Sequence, residues 1–276
     1  MKKGILYLVP SPIGNLNEVS PRIISILNLV DLVACEDTRN TGKLLHLLNI
    51  EKPLFSCHEH NEKEASQTLI KKLLNGEKIA YLSDAGYPCI SDPGALLVKE
   101  AINYDITITP LSGPNAFLNA LVGSGLDASH FLFYGFLNAK KSQREDELQK
   151  LKDLPYTLIF YEAPHRVNET LLSLYQILGN RKISIARELT KIHEEFIRGD
   201  LKSLITSNRE FIGELVLVVE KKKEEEKSID LSKYLELIDE LINKGLKSKD
   251  AIVFISTNFK INKNDLYKAY LDHSKK

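Results

Sequence analysis

The sequence predicts an α/β protein made of two α/β domains followed by a small helical appendage. Two observations carry this. Short β-rich apolar runs alternate with longer stretches whose apolar residues recur three and four positions apart, the pattern of strands joined by covering helices. A run without any apolar side chain, residues 221–227, then interrupts the pattern, because a segment with nothing to bury gains little from packing.

In chain order, strands are expected at residues 4–10, 31–36, 53–57, 78–84 and 105–111. Helical stripes such as Ile23, Ile24 and Leu27, or Leu69, Ile70, Leu73 and Leu74, lie between them. These elements make a doubly wound domain over residues 1–113. After the Ser112-Gly113-Pro114 break a second domain, residues 114–220, has strands at 131–136, 156–162, 182–188, 194–199 and 214–220. One helix separates the last two strands, so this sheet is expected to be mixed and partly antiparallel. Residues 221–227 read as a charged linker. In the tail, 228–276, Tyr234, Leu235, Ile238, Leu241 and Ile242 form one stripe, 248–258 a second segment, and 263–272 a third, capped around Asn262. The outline is helix-turn-helix-like.

The chain has 276 residues, 43% hydrophobic and 27% charged, enough for one large core or two medium ones with a solvated exterior. No apolar run approaches the roughly 18 residues that span a bilayer, and the opening apolar run ends at Pro10, so it reads as a buried strand rather than a signal peptide. Cys35, Cys57 and Cys89 show no paired spacing, which argues against a disulfide framework and fits a reducing cytoplasm. Net charge is zero, so the whole chain carries no signature of a polyanionic partner. The last 36 residues, however, hold eight lysines against three aspartates. That tail fits an RNA contact or a solvated helical cap equally well.

Doubly wound sheets place ligands at the carboxyl ends of their strands, and there the sequence is dense in polar residues. The first strand ends in Pro10-Ser11-Pro12-Ile13-Gly14, the fourth in Ser83-Asp84-Ala85-Gly86-Tyr87-Pro88-Cys89-Ile90-Ser91-Asp92-Pro93-Gly94. Ser91 or Asp92 capping a helix that starts at Pro93 accounts for half of that loop but not for Ser83–Pro88. Acids and prolines suit a phosphate poorly, and neither the dinucleotide fingerprint nor the Walker pattern occurs. A cationic ligand with hydroxyls and an amine, such as S-adenosylmethionine, suits the loop better. Other strand ends carry Glu36-Asp37-Thr38-Arg39, His58-Glu59-His60-Asn61-Glu62, Tyr161-Glu162 with His165-Arg166, and Arg187-Glu188-Leu189-Thr190-Lys191. Together they indicate a charged cleft. Adjacent Cys57 and His58 point to opposite sides of a strand and no second ligand pair accompanies His58 and His60, so no metal site is expected.

These motifs, in this order and over essentially the whole length, resemble the bacterial small-subunit ribosomal RNA methyltransferases of the tetrapyrrole methylase superfamily. The resemblance implies two α/β domains with a cofactor cleft between them, a cytoplasmic homodimer, S-adenosylmethionine as cofactor and 16S rRNA in the small ribosomal subunit as partner. The reaction it implies is methylation of the 2′-hydroxyl of a decoding-centre cytidine. It implies cofactor contacts at Pro10, Asp84, Ala85, Gly86, Ile90, Ser91, Asn115, Ala116, Tyr161 and Leu189. Substrate contacts map to Arg39, His58, Asn61, Arg166 and Lys191, and the candidates for proton acceptor or orienter are Glu36, Asp37 and His165. This chain departs from its relatives in having Tyr87 where a small residue is common, and Ser112 where a proline is frequent. Two other readings stand beside this one: a methylase of the same fold acting on a tetrapyrrole or a protein residue, and a non-catalytic RNA-binding module.

Overall fold

Along the first five strands successive residues face opposite sides, and in β1, β2 and β4 both sides are covered. The computed structural model, which describes residues 2–207, 209–223 and 231–274, places β1 (Ile5–Val9), β2 (Leu32–Cys35), β3 (Leu54–Ser56), β4 (Ile79–Leu82) and β5 (Thr107–Pro110) in one parallel sheet of order β3-β2-β4-β1-β5. Tyr7, Val9, Ala80 and Leu82 pack with Ile23 and Leu27 of α1 (Pro21–Leu29) and Leu45 of α2 (Thr38–Leu47). On the other face Leu6, Ile79 and Tyr81 meet Leu69 and Leu73 of α3 (Glu62–Leu74) and Leu97 of α4 (Ala95–Asn103). Strands buried on both faces are apolar throughout, and β4 accordingly reads Ile-Ala-Tyr-Leu.

This winding positions the site. β4 lies between β1 and β2, yet the helix that follows it covers the face opposite to the helices that follow those two strands. The loops therefore diverge at the carboxyl end of β4 and leave a crevice, the place where open α/β sheets hold ligands.

The second sheet has order β6-β7-β10-β8-β9. It follows α5 (Ala116–Ser124) and comprises β6 (Phe131–Phe136), β7 (Thr157–Glu162), β8 (Lys182–Arg187), β9 (Glu195–Asp200) and β10 (Leu215–Val219), with α6 (Lys141–Leu151), α7 (Val167–Leu178) and α8 (Leu201–Thr206) in the connections. β6 and β7 are parallel, β10 is antiparallel to β7 and to β8, and β9 is antiparallel to β8, the mixed sheet that the sequence predicts. Leu215, Leu217 and Val219 face α6, α7 and α8, whereas Val216 and Val218 face Ala120 and Leu121 of α5. Because β10 runs against its neighbours, its amino end arrives where β7 and β8 finish. Each expected strand forms within two residues of its expected limits.

Both sheets belong to one compact unit that ends at Lys222, and a second begins at Lys223. Lys221 and Lys222, at the start of the expected linker, bind Asp127 and Asp153, each at 2.7 Å; residues 224–227 of that linker lie outside the described residues. The second unit holds α9 (Ser232–Asn243), α10 (Ser248–Phe259) and α11 (Lys263–His273) around Ile238, Ile252, Ile255 and Leu266. Asn262 caps α11 by accepting from the Asn264 N–H, as its position before the apolar stripe predicts.

Candidate active site

The loops after β1 and β4 are stitched together by their backbones. Ser11 N–H donates to Gly86 O at 2.8 Å and Gly86 N–H donates to Ser11 O at 3.0 Å. The Ser11 hydroxyl donates to Ser83 O at 2.7 Å, and the Ser83 hydroxyl to Gly86 O at 3.0 Å. Past Gly86 the chain turns through Cys89 and Ser91, whose φ angles of 69° and 63° lie in the left-handed region that side chains disfavour. Glu188 and Thr190, in the loop after β8, do the same at 50° and 67°. Strained backbone thus gathers in the two loops that face each other across the crevice, as it does at many ligand sites.

The expectation that Ser91 or Asp92 caps a helix beginning at Pro93 is not met. The helix begins at Ala95, and its free N–H groups at Gly94 and Leu96 donate to Glu62 Oε1 at 2.8 and 3.1 Å. The cap comes from the start of α3, and the left-handed turn at Ser91 leaves Asp92 on the cavity wall.

Opposite stands the second sheet. Ala163 and Pro164 after β7, Leu189 after β8, Gly213 and Glu214 before β10, and Asn115 and Ala116 at the start of α5 complete a cavity of about 380 Å³. The Asn115 side chain accepts from Leu118 N–H and so fixes the first turn of α5. Ile13, only 7% exposed, reaches from the β1 loop into the apolar cluster of Ala120, Leu121, Ile159, Leu189 and Val216. Beside it a Cβ on Gly14 would stand 2.4 Å from Lys191 Cγ, so only glycine lets the β1 loop lie this close to the β8 loop.

A family model described as tetrapyrrole (corrin/porphyrin) methylases matches residues 5–205. The chain belongs to this family. Among curated proteins it is similar to ribosomal RNA small subunit methyltransferase I of Bacillus subtilis, 46% identical over 274 residues that cover 97% of this chain and 94% of that one. It is likewise similar to the protein of that description from Haemophilus influenzae, 40% identical over 99% of this chain and 98% of the relative. At these identities the chain is also a member of the small subunit methyltransferase I group. Among solved structures, the methyltransferase CobJ aligns with a TM-score of 0.59 at 16% identity over 80% of this chain and 95% of its own. Uroporphyrin-III C-methyltransferase from Thermus thermophilus, complexed with S-adenosylhomocysteine, aligns with a TM-score of 0.55 at 16% identity over 79% and 97%. Those two likenesses establish the fold.

Of the positions that the methylase resemblance assigns to the cofactor, Ala85, Gly86, Ile90, Ser91, Asn115, Ala116, Tyr161 and Leu189 line the cavity. Pro10 and Asp84 do not. Pro10 is buried against Gly113, where a Cβ would come within 2.4 Å of its Cγ. Asp84 accepts from Asn40 Nδ2 at 2.7 Å outside the wall. Ile13, Tyr87, Asp92, Glu162 and Ala186 stand in or beside the strand-end motifs that the sequence singles out, without a site role of their own, whereas Phe136 and residues 213–216 are not pointed to at all; all of them line the cavity. Residues 213–216 escape a search of strand carboxyl ends because β10 brings its amino end to the site. Tyr87 ties the β4 loop to the segment leading into α5, its hydroxyl oxygen accepting the Gly113 N–H at 3.0 Å.

The expected proton acceptors lie off the cavity wall. Asp37 is the N-cap of α2; hydrogen bonds from the Arg39 guanidinium and backbone hold its carboxyl down to about 2, which makes it a weak base. His165 is exposed. Burial, and then the charge of Asp84, raises the Glu36 carboxyl above its ordinary value. Among the expected phosphate contacts, Arg166 donates to Leu137 O at 2.7 Å and pairs with Glu162 at 3.2 Å, and Lys191 pairs with Glu188 and Glu214 at 2.9 and 3.2 Å. Asn61 holds the β3 loop, accepting from His58 N–H and donating to Ser56 O. Arg39, bound to Asp37, still presents an exposed guanidinium.

Proposed function

We propose that the protein methylates the 2′-hydroxyl of a cytidine ribose in 16S rRNA of the small ribosomal subunit, taking the methyl group from S-adenosylmethionine, and that it works as a cytoplasmic homodimer. Likeness to ribosomal RNA small subunit methyltransferase I over nearly the whole chain carries this reading. The cavity fits the donor. Its volume, about 380 Å³, falls in the usual range of about 300–1,000 Å³ for small-molecule pockets. Apolar walls from Ile13, Ile90, Leu189 and Val216 suit a nucleoside, and the carboxylate of Glu214 suits an ammonium. When bound, S-adenosylmethionine supplies an electrophilic methyl group.

The chain's own residues do the rest. The Ala85–Gly86 backbone holds the donor from the β4 loop, Asn115–Ala116 from the start of α5, and Tyr161 and Leu189 from the second sheet. Ile13 and Tyr87 keep the two walls together and exclude water. Free cysteines fit a reducing compartment, and among the described residues no helix is long and apolar enough to cross a membrane. Supplying labelled S-adenosylmethionine and small subunits from a strain that lacks this enzyme tests the proposal. Label on a single cytidine ribose is the expected result. Label on a base, or transfer only to a macrocycle or a protein, overturns it.

A further inference from the structure

Among the described residues three carboxylates line the cavity, Asp92, Glu162 and Glu214, and their surroundings separate them. Glu162 is fully engaged: one oxygen accepts from the Thr170 hydroxyl, and the other accepts from Ala163 N–H at 2.8 Å and pairs with Arg166 at 3.2 Å. Glu214 pairs with Lys191 and is mostly exposed. Asp92 alone of the three is half-buried among like charges, with Glu36 at the end of β2 and Asp84 at the end of β4 as neighbours. Its backbone is held between Ser91, in the left-handed conformation, and the ring of Pro93.

We propose that Asp92 takes the proton from the acceptor hydroxyl, an assignment that rests on the ribose-methylating function proposed above. The hydroxyl oxygen forms a bond to the methyl carbon as the carbon–sulfur bond breaks, its electron pair remaining on sulfur. The hydroxyl proton passes to the Asp92 carboxylate, which becomes neutral as the sulfonium charge disappears. Burial, and then repulsion from Glu36 and Asp84, pushes the Asp92 carboxyl up to about 6. At neutral pH it is still ionised and is a stronger base than an ordinary aspartate. Tyr161, from β7, and Cys89 sense its charge from the other sides.

Three measurements on the full chain test this. Carbon-13 NMR of the free protein should show one carboxyl titrating near 6 that disappears in Asp92→Asn and moves to lower pH in Glu36→Gln. Single-turnover methylation of small subunits should slow in Asp92→Asn by about 10²–10⁴-fold, the usual worth of a general base. Its acid limb should vanish, whereas in Glu36→Gln the limb should remain and shift downward. Affinity for S-adenosylhomocysteine, by calorimetry, should change by less than about threefold in Asp92→Asn, well under the rate loss, because under 1 kcal/mol of binding is at stake. Loss of affinity matching the loss of rate would make Asp92 a cofactor ligand and overturn the assignment. Disappearance of the limb in Glu36→Gln rather than Asp92→Asn would overturn it in favour of Glu36. If wild-type enzyme labels no ribose, the function itself fails, while the NMR titration still reports on Asp92.

Discussion

The two walls of the cavity are built by different means. The wall from the parallel sheet is a backbone construction: Ser11 and Gly86 bond main chain to main chain, and Cys89 and Ser91 turn the loop in left-handed conformations. The wall from the mixed sheet is a side-chain construction, with apolar residues on one face and charges that neutralise one another in the Glu162–Arg166 and Glu188–Lys191–Glu214 groups. This difference divides the functions between them. Unpaired acidity, which proton transfer needs, stands on the parallel-sheet wall; the acids of the mixed-sheet wall are paired.

Backbone geometry at Gly94 should give the largest effect. Its φ is 120°, and a Cβ there would lie 2.4 Å from Cε1 of the fully buried Tyr81. Gly94→Ala should therefore lower stability by about 3 kcal/mol or more through strain and overpacking together. It should also weaken donor binding, since the Asp92 loop leads into this residue. A urea melt with an unchanged midpoint would show that the parallel-sheet wall is more pliant than its geometry implies.

The next effect has the opposite sign. A carboxyl raised in the fold from 3.8 to about 6 favours folding below about pH 4, and that contribution is lost as pH rises to about 6. At neutral pH Asp92 then lowers stability by about 2–3 kcal/mol, so Asp92→Asn should melt higher than wild type at pH 7 and no higher at pH 4. A variant stabilised equally at both pH values would remove the contrast between an acidic wall and a neutralised one.

Ile13 joins the two walls, and its truncation should cost less than the backbone change. Ile13→Ala empties a buried place among Ala120, Leu121 and Val216, worth about 2 kcal/mol at a site this close to a cavity that can relax. Donor affinity should fall with it. Val218→Ala, on the same apolar face but off the cavity lining, should lower the melting temperature and leave affinity alone. Equal effects of the two on affinity would deny Ile13 its bridging role.

The parallel wall is more legible in the sequence than the mixed one, for a physical reason. Residues 83–94 are contiguous, and their glycines, prolines and acids are visible as one string. Strands are legible because burial on both faces leaves uninterrupted apolar runs, as in Ile79–Leu82 and Leu215–Val219. Gly213 and Glu214 are not legible as site residues, since nothing local says that β10 runs against β7 and β8. Asp92 misleads for a related reason. A serine-aspartate pair before proline and glycine looks like a helix start, and only the tertiary structure shows that Glu62 supplies the cap.

Charge gives the smallest and most discriminating test. Arg39, from the parallel half, is 84% exposed at its side chain and bound to one partner; Lys191, from the mixed half, is 29% exposed and held by two carboxylates. A cation that neutralises an RNA phosphate releases counterions, so removing it lowers the slope of log affinity against log salt by about one. Arg39→Gln should show that change when binding to small-subunit RNA is followed over a salt series. Lys191→Gln should leave the slope unaltered, because its charge already faces Glu188 and Glu214, and should instead loosen the contact with Gly14 and reduce donor affinity. A salt slope that falls as far in Lys191→Gln as in Arg39→Gln would mean that the mixed-sheet wall releases its lysine to RNA. Its charges would then be a reserve for substrate rather than a frame for the cavity.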